Sequence, residues 1–306
     1  MDRPAITAIV HTRDSAETLA KALASLRWAD ELIVADMDSR DETREIAGRY
    51  GARIVPLEPA PRVDGVRDRV TAMAVHPWIL VLDSDEWLAE DAESAVAALI
   101  ADQGDRFDAF ALPRFNYVGE QWLRAQPWYP DNQIRLFRRG TVTWPDAIHV
   151  SPRMTTGWQR LKELQPPGCL HIHHRNYRDL RDFVRRQLDY ALSETYDDRP
   201  ERFDFGDHVA KAYEQLALRQ APDRDGDLSQ AVALLLAWDA VVRGVLHWES
   251  LDPRPPLGAI QALPIASCRV PRWLVFLRRW SGARLPWLFL FRTARRMTDE
   301  WRNRRA

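Results

Sequence analysis

Trp78-Ile79-Leu80-Val81-Leu82-Asp83-Ser84-Asp85-Glu86 decides the reading of this chain. Five apolar residues in an unbroken run match a strand buried on both faces, and such strands belong to parallel sheets covered by helices. The run stops at three acids in four residues. Ligands of open parallel sheets sit beyond the carboxyl ends of the strands, so these acids stand where a ligand would.

Upstream, the pattern repeats. Ile6 to Val10 predicts a first strand, which ends in His11-Thr12-Arg13-Asp14. Glu31 to Ala35 predicts a second, ending in Asp36-Met37-Asp38-Ser39-Arg40-Asp41. Arg53 to Leu57 predicts a third. Helices are expected between them: from a capping box at Asp14 and Glu17 to about Trp28, from one at Ser39 and Glu42 to Gly51, and over 66–75. Asp41 reads as a helix-starting residue. Asp91 to Ile100 predicts a further helix. Strands separated by helices imply an α/β fold with a mostly parallel, Rossmann-like sheet.

Beyond Phe107 the pattern changes. Phe110 to Leu112, Arg135 to Phe137 and Val142 to Trp144 predict shorter strands joined by aromatic-rich loops. Residues 179–221 and 228–245 predict helices, and Pro253, Pro255 and Pro256 mark a linker. The expected organisation is a catalytic domain over 1–178, with a donor half at 1–105 and an acceptor half at 106–178, then a helical region over 179–306.

The chain has 306 residues, 46% hydrophobic and 28% charged, enough for a sizeable core. A net charge of -1 argues against a surface built for nucleic acid. Two cysteines, Cys169 and Cys268, exclude a disulfide scaffold and a cysteine zinc site, and fit a cytoplasmic setting. The N-terminus has no signal-peptide pattern, and no apolar run approaches the ~20 residues of a bilayer span.

Asp83 and Asp85, one residue apart after a strand, can aim two carboxylates into one crevice. Their mutual repulsion calls for a cation or an Arg. Mg²⁺ and Mn²⁺ take oxygen ligands and share them with phosphates, so a nucleotide diphosphate fits the pair, with the cation a Lewis acid for the leaving group. Asp-x-Asp also recurs by chance in loops. Asp36 can accept hydrogen bonds from a base or ribose, or be a turn residue. Arg67 can reach a phosphate or pair with Asp64 or Asp68.

These motifs resemble family 2 glycosyltransferases of the GT-A fold, in the bacterial branch that includes lipopolysaccharide-core glucosyltransferases. The stretches that carry the likeness are Ile6 to Asp14, Trp28 to Asp36, Asp38 to Thr43, Trp78 to Glu86, and Pro127-Trp128-Tyr129-Pro130-Asp131-Asn132-Gln133-Ile134-Arg135-Leu136-Phe137. The resemblance covers roughly residues 6–191. It implies inverting transfer of a sugar from a nucleotide-diphosphate sugar to a hydroxyl of a cell-envelope glycan or lipid-linked acceptor. Asp131 matches the general base, although Pro-Asp-Asn is also a common turn. Asp36 matches the nucleobase acid, and Asp83 and Asp85 the metal pair, with Asp85 nearer the divalent Mg or Mn. Thr12, Asp14, Arg67 and Ser84 fall on the donor side.

His149-Val150 stands where a His-Glu pair is frequent, which leaves His149 as a metal or diphosphate contact or a structural histidine. Asp68 stands where relatives commonly carry Asn. His171 and His173 would share one face of a strand, with His174 beside them; a zinc site there lacks a third ligand. Trp122, Trp128, Tyr129 and Trp144 are candidates for packing on acceptor sugar rings or for ordinary core. Trp273, Phe276, Trp287 and Phe289 among Arg272, Arg278, Arg292 and Arg295 suggest a basic amphipathic tail, resting on an anionic membrane or packing back on the domain. Two other readings stay open: a degenerate homologue acting as a membrane-bound scaffold, and a sugar nucleotidyltransferase. Intact acids oppose the first, and the absence of glycine at residues 11–14 opposes the second.

Overall fold

The structure is a computed structural model that describes residues 4–58, 64–125, 128–144, 152–166, 168–218 and 225–255. His149 and the Trp- and Arg-rich tail lie outside the described residues.

The chain is mixed α/β. A seven-stranded sheet runs in the order β12-β6-β9-β4-β1-β2-β3. Its strands are β1 (Ile6–Thr12), β2 (Glu31–Asp36), β3 (Arg53–Pro56), β4 (Trp78–Asp83), β6 (Ala109–Leu112), β9 (Gln133–Arg138) and β12 (Leu161–Glu163). β1 pairs in parallel with β2 and β4, β2 with β3, and β12 with β6. Only β9 runs against its neighbours, β4 and β6.

Alternate residues of the buried strands feed two cores. Ile6, Ala8, Val10, Leu80 and Leu82 pack with residues of α1 (Leu19–Ala24), α2 (Thr43–Arg49) and α4 (Ala92–Gln103). Ile9, Ile33, Ala35, Ile79 and Val81 pack with Val70 of α3 (Asp64–Thr71), Phe137 and Trp144. Helices on both faces exclude water from the sheet, which is why its strands read as continuous apolar runs.

A four-stranded sheet, β5-β13-β7-β8, stands beside the first. It comprises β5 (Glu86–Leu88), β7 (Arg114–Val118), β8 (Gln121–Trp122) and β13 (Ile172–Tyr177). The expected aromatic-rich loops thus hold strands. A two-stranded ribbon joins β10 (Val142–Thr143) to β11 (Arg153–Met154). The helical region is α5 (Leu180–Ser193), α6 (Phe205–Leu218) and α7 (Asp227–Ser250). Val118, Leu123, Tyr177, Phe183 and Val232 form one cluster, tying α5 and α7 to the second sheet. All described residues fall in one compact unit, Met1–Leu257.

Two expected caps are absent. Asp14 has φ +46° and its carboxylate accepts from Arg40 N at 2.8 Å, while Asp14 N donates to Ser39 Oγ at 2.9 Å. Neither side chain caps the helix that follows it. The two strand-end loops grip each other instead, because side chains that satisfy a neighbouring loop are lost to local capping. α1 consequently starts only at Leu19. Asp41 does start its helix, accepting from Thr43 N at 3.0 Å.

One expectation about length is corrected. α7 has 24 residues, and an 18-residue window within it has a mean hydropathy of 1.4, long and apolar enough to cross a membrane by length and composition. Asp239 and Arg243 interrupt the run in the sequence, but the average over the window tolerates two charges.

Candidate functional site

Strand register assembles the rim. Thr12 pairs with Asp36, and His11 with Asp83, so three strand ends finish level. Side-chain direction then separates the acids. Asp36 is fully buried, bonded by Arg44 of α2 and by Ser39 N at 3.2 Å. Asp83 turns toward α3 instead. Arg67 Nη2 donates to its Oδ1 at 2.6 Å, and Arg135 Nη2 to its Oδ2 at 2.6 Å. Burial alone would raise the Asp83 pKa; the guanidiniums of Arg135 and Arg67 overcome it and hold the carboxyl far below the usual range. Both oxygens being taken by cations, Asp83 is the less open of the two acids toward a metal.

From Asp83 a chain of buried ion pairs crosses to the second sheet. Arg135 Nη2 also donates to Glu86 Oε1 at 2.8 Å. Arg114 Nη1 donates to the same oxygen at 3.0 Å. Arg114 Nε and Nη2 then donate to Asp131 Oδ2 at 2.9 and 2.6 Å. Asn116 Nδ2 adds a bond to that oxygen at 3.0 Å, and Gln133 Nε2 donates to Oδ1 at 2.8 Å. Burial would raise the Asp131 pKa, but Arg114 and these donors bring it below the ordinary carboxylate value. Oδ1, with one donor against three on Oδ2, is the oxygen left to receive a proton.

Among the described residues no Arg side chain pairs with Asp85. His174 does face it, with Nε2 at 3.5 Å from Oδ2. The tautomer follows from Asn116. Its amide NH₂ serves two acceptors, Trp128 O and Asp131 Oδ2, so its Oδ1 faces His174 Nδ1 at 2.7 Å and must accept. His174 Nδ1 therefore carries hydrogen, and the other nitrogen faces a carboxylate. That pairing needs a proton or a cation between them. An oxygen and an imidazole nitrogen suit a first-row divalent ion such as Mn²⁺ better than Mg²⁺, which prefers oxygen alone.

The remaining donor-side residues are placed as follows. Thr12 Oγ1 is buried without a hydrogen-bond partner among the described residues. Ser84 Oγ donates to Ser15 Oγ at 2.8 Å. Beside them His11 is buried with neither ring nitrogen bonded. Burial, then Arg67, push its pKa down to about 3, so the ring is neutral.

Of the aromatic candidates, Trp144 is buried in the α3-side core and Trp128 packs with the second-sheet helices. Trp122 and Tyr129 are half-buried around Phe115, with Trp122 stacked on it at 4.2 Å. His171 and His173 do share a face, 4.8 Å apart, but their neighbours are rings. Sequence reading did not single out Arg114, Asn116 or Arg135 as site residues, took Glu86 only as part of the acidic run after β4, and took His174 only as part of a histidine cluster. Their link lies across strands rather than along the sequence: Glu86 and His174 pair across β5 and β13, and His174 and Asn116 across β13 and β7.

The family model described as Glycosyl transferase family 2 matches residues 7–156. That stretch, just under half of the chain, is therefore similar to glycosyltransferase family 2 domains. Among curated relatives, a TPR repeat-containing protein of Synechococcus elongatus is 44% identical over 127 residues, covering 41% of this chain and 30% of that protein. An uncharacterized glycosyltransferase of Rickettsia bellii is 31% identical over 147 residues, 47% of this chain and 49% of that one. The chain thus spans less than half the length of either. The crystal structure of S. aureus TarS 1-349 in complex with UDP-GlcNAc is similar over 75% of this chain and 71% of that chain, with 16% identity and a TM-score of 0.42.

Proposed function

We propose that the chain is an inverting glycosyltransferase that moves a sugar from a nucleotide-diphosphate sugar to a hydroxyl of a glycan or lipid-linked acceptor in the cell envelope. The observation that carries this reading is the pair of acids one residue apart at the β4 rim, one held by arginines and the other facing a histidine, within the stretch similar to family 2 domains. In this reading residues 1–178 are catalytic and 179–306 form the helical region.

Asp85 and His174 are the residues that would hold a divalent metal. A bound cation there would neutralise charge on the leaving diphosphate. Among the described residues no three His, Cys, Asp or Glu side chains gather as a metal site, so the diphosphate oxygens would complete the coordination. Arg67 and Arg135 fix Asp83, and Arg67 lies on α3 beside the place of the phosphates. Thr12, Asp14, Asp36 and Ser84 border the nucleoside. Asp131 is the proposed general base: a sugar hydroxyl is a poor nucleophile, and Oδ1 can accept its proton as the bond forms. Arg114 and Asn116 hold that carboxylate ionised and oriented.

Calorimetric titration with UDP tests the donor half. Binding is expected only with Mn²⁺ or Mg²⁺ present. Asp85→Ala should abolish this metal-dependent binding, and His174→Ala should weaken metal affinity about 10- to 100-fold. Nucleotide binding that ignores both the metal and Asp85 would sink the reading.

A further inference from the structure

The second sheet divides its residues by parity. Glu86, His174, Asn116 and Arg114 serve the ion-pair chain and the metal-facing histidine. Their neighbours Trp87, His173, Arg175 and Tyr117 alternate with them and so point to the other face. Those four, with Asp85 and with Glu17, Thr18 and Lys21 of the α1 end, line a cleft of about 340 Å³, within the range of small-ligand pockets.

Three rings flank this cleft. Trp87 stacks on His173 with centroids 5.3 Å apart and on Tyr117 at 6.0 Å, and the Tyr117 hydroxyl bonds His173 Nδ1 at 2.9 Å. Lys21, an exposed side chain, lies over Trp87 with Nζ 3.6 Å from the ring centroid. Arg175 pairs with Glu17 at 3.1 Å. Asp85 forms part of the wall, so a ligand here would lie against the carboxylate that marks the donor metal.

The charges decide the ligand class. Glu17, Asp85 and Glu120 oppose Lys21 and Arg175. The lining carries no positive excess to hold an anion and too many polar groups for an apolar guest. Rings beside carboxylates, an ammonium and a guanidinium match a neutral sugar, whose C–H faces pack on aromatics while its hydroxyls take hydrogen bonds. We propose that this cleft receives a neutral sugar ring of the acceptor glycan, an inference that rests on the glycosyl-transfer reading above. Swinging Lys21 aside would open the Trp87 ring to the sugar and bring its ammonium to a hydroxyl.

Saturation-transfer NMR with methyl glycosides of glucose, galactose, mannose and N-acetylglucosamine, recorded without nucleotide, tests the site directly. At least one glycoside should receive saturation on its ring protons. Trp87→Ala should weaken that contact roughly tenfold, as should the exposed-residue variant Glu120→Ala by a smaller factor, while Mn²⁺-dependent UDP binding stays unchanged. Trp87→Phe, which keeps a ring in place, should restore most of the contact and guards against a misfolded Ala variant. No saturation with any glycoside, or an effect untouched by both variants, overturns the proposal. Loss of UDP binding in Trp87→Ala overturns it too, since the cleft would then belong to the donor. A wild-type protein that contacts glycosides but binds no UDP would instead refute the transfer reading and leave the sugar site standing.

Discussion

Asp131 shows how a neighbour sets the task of an acid. Four donors and the Arg114 charge favour its ionised form, the state the proposed role of base needs at neutral pH. Asp131→Asn keeps the size and loses the base; kcat should drop roughly 10²- to 10⁴-fold, with the Kd for UDP unchanged by titration. Equal loss of UDP binding would mark Asp131 as structural. His11 makes a separate prediction, about stability. Its folded pKa of about 3 lies below the ordinary histidine value of 6.5. Between those values the unfolded chain binds a proton that the folded chain refuses, so stability falls as pH drops from 6.5 and the loss is complete near 3. His11→Gln cannot titrate there, and its Tm should decline less steeply with acid than that of the wild type.

Strand-end loops and paired strands carry the next level of organisation. The run from Asp83 through Arg135, Glu86 and Arg114 to Asp131 links β4, β9, β5 and β7 by buried charges. Each cation has two acidic partners, so removing one strands charges that are shielded from water. Arg114→Met should cost about 3–5 kcal/mol of stability, measured by urea unfolding, because Asp131 would lose its cation and Glu86 would keep only Arg135. Glu86 is itself fully buried, and Glu86→Gln should destabilise by a comparable route. An unfolding midpoint unchanged in Arg114→Met would show that the chain of pairs contributes nothing. At the same level, the loop after β8 is fastened from outside: Asp225, just ahead of α7, accepts from Arg124 N at 2.9 Å and Ala125 N at 2.6 Å. The helical region thereby holds the segment that leads to Asp131.

The helices also give the protein an apolar exterior. α7 leaves Leu234, Trp238, Val241 and Val245 exposed at 36% or more, spaced as one helical stripe. Together with the Arg- and Trp-rich sequence beyond 270, this motivates the proposal that the protein rests peripherally on an anionic membrane. Co-sedimentation should show binding to vesicles of anionic lipid, reduced by Leu234→Glu with Val241→Glu and by Arg292→Glu with Arg295→Glu. Equal recovery with neutral and anionic vesicles would remove the electrostatic part of the proposal.

Local pattern was sufficient for the parallel half of the molecule. An uninterrupted apolar run such as Trp78 to Leu82 can be buried only between two helical layers, and the acids after it can only lie at the open end of the sheet. Thr12, Asp36, Asp83 and Ser84 were legible there for that reason. What no local pattern contains is the partner of a charge. That Asp83 faces two arginines, one 16 and one 52 residues away, while Asp85 faces His174, depends on strands brought together from distant parts of the chain. The second sheet was hidden for a related reason. β5, β7, β8 and β13 have between two and six residues each, too short for a periodic signal, and they are strands only because each finds its neighbours in the folded protein.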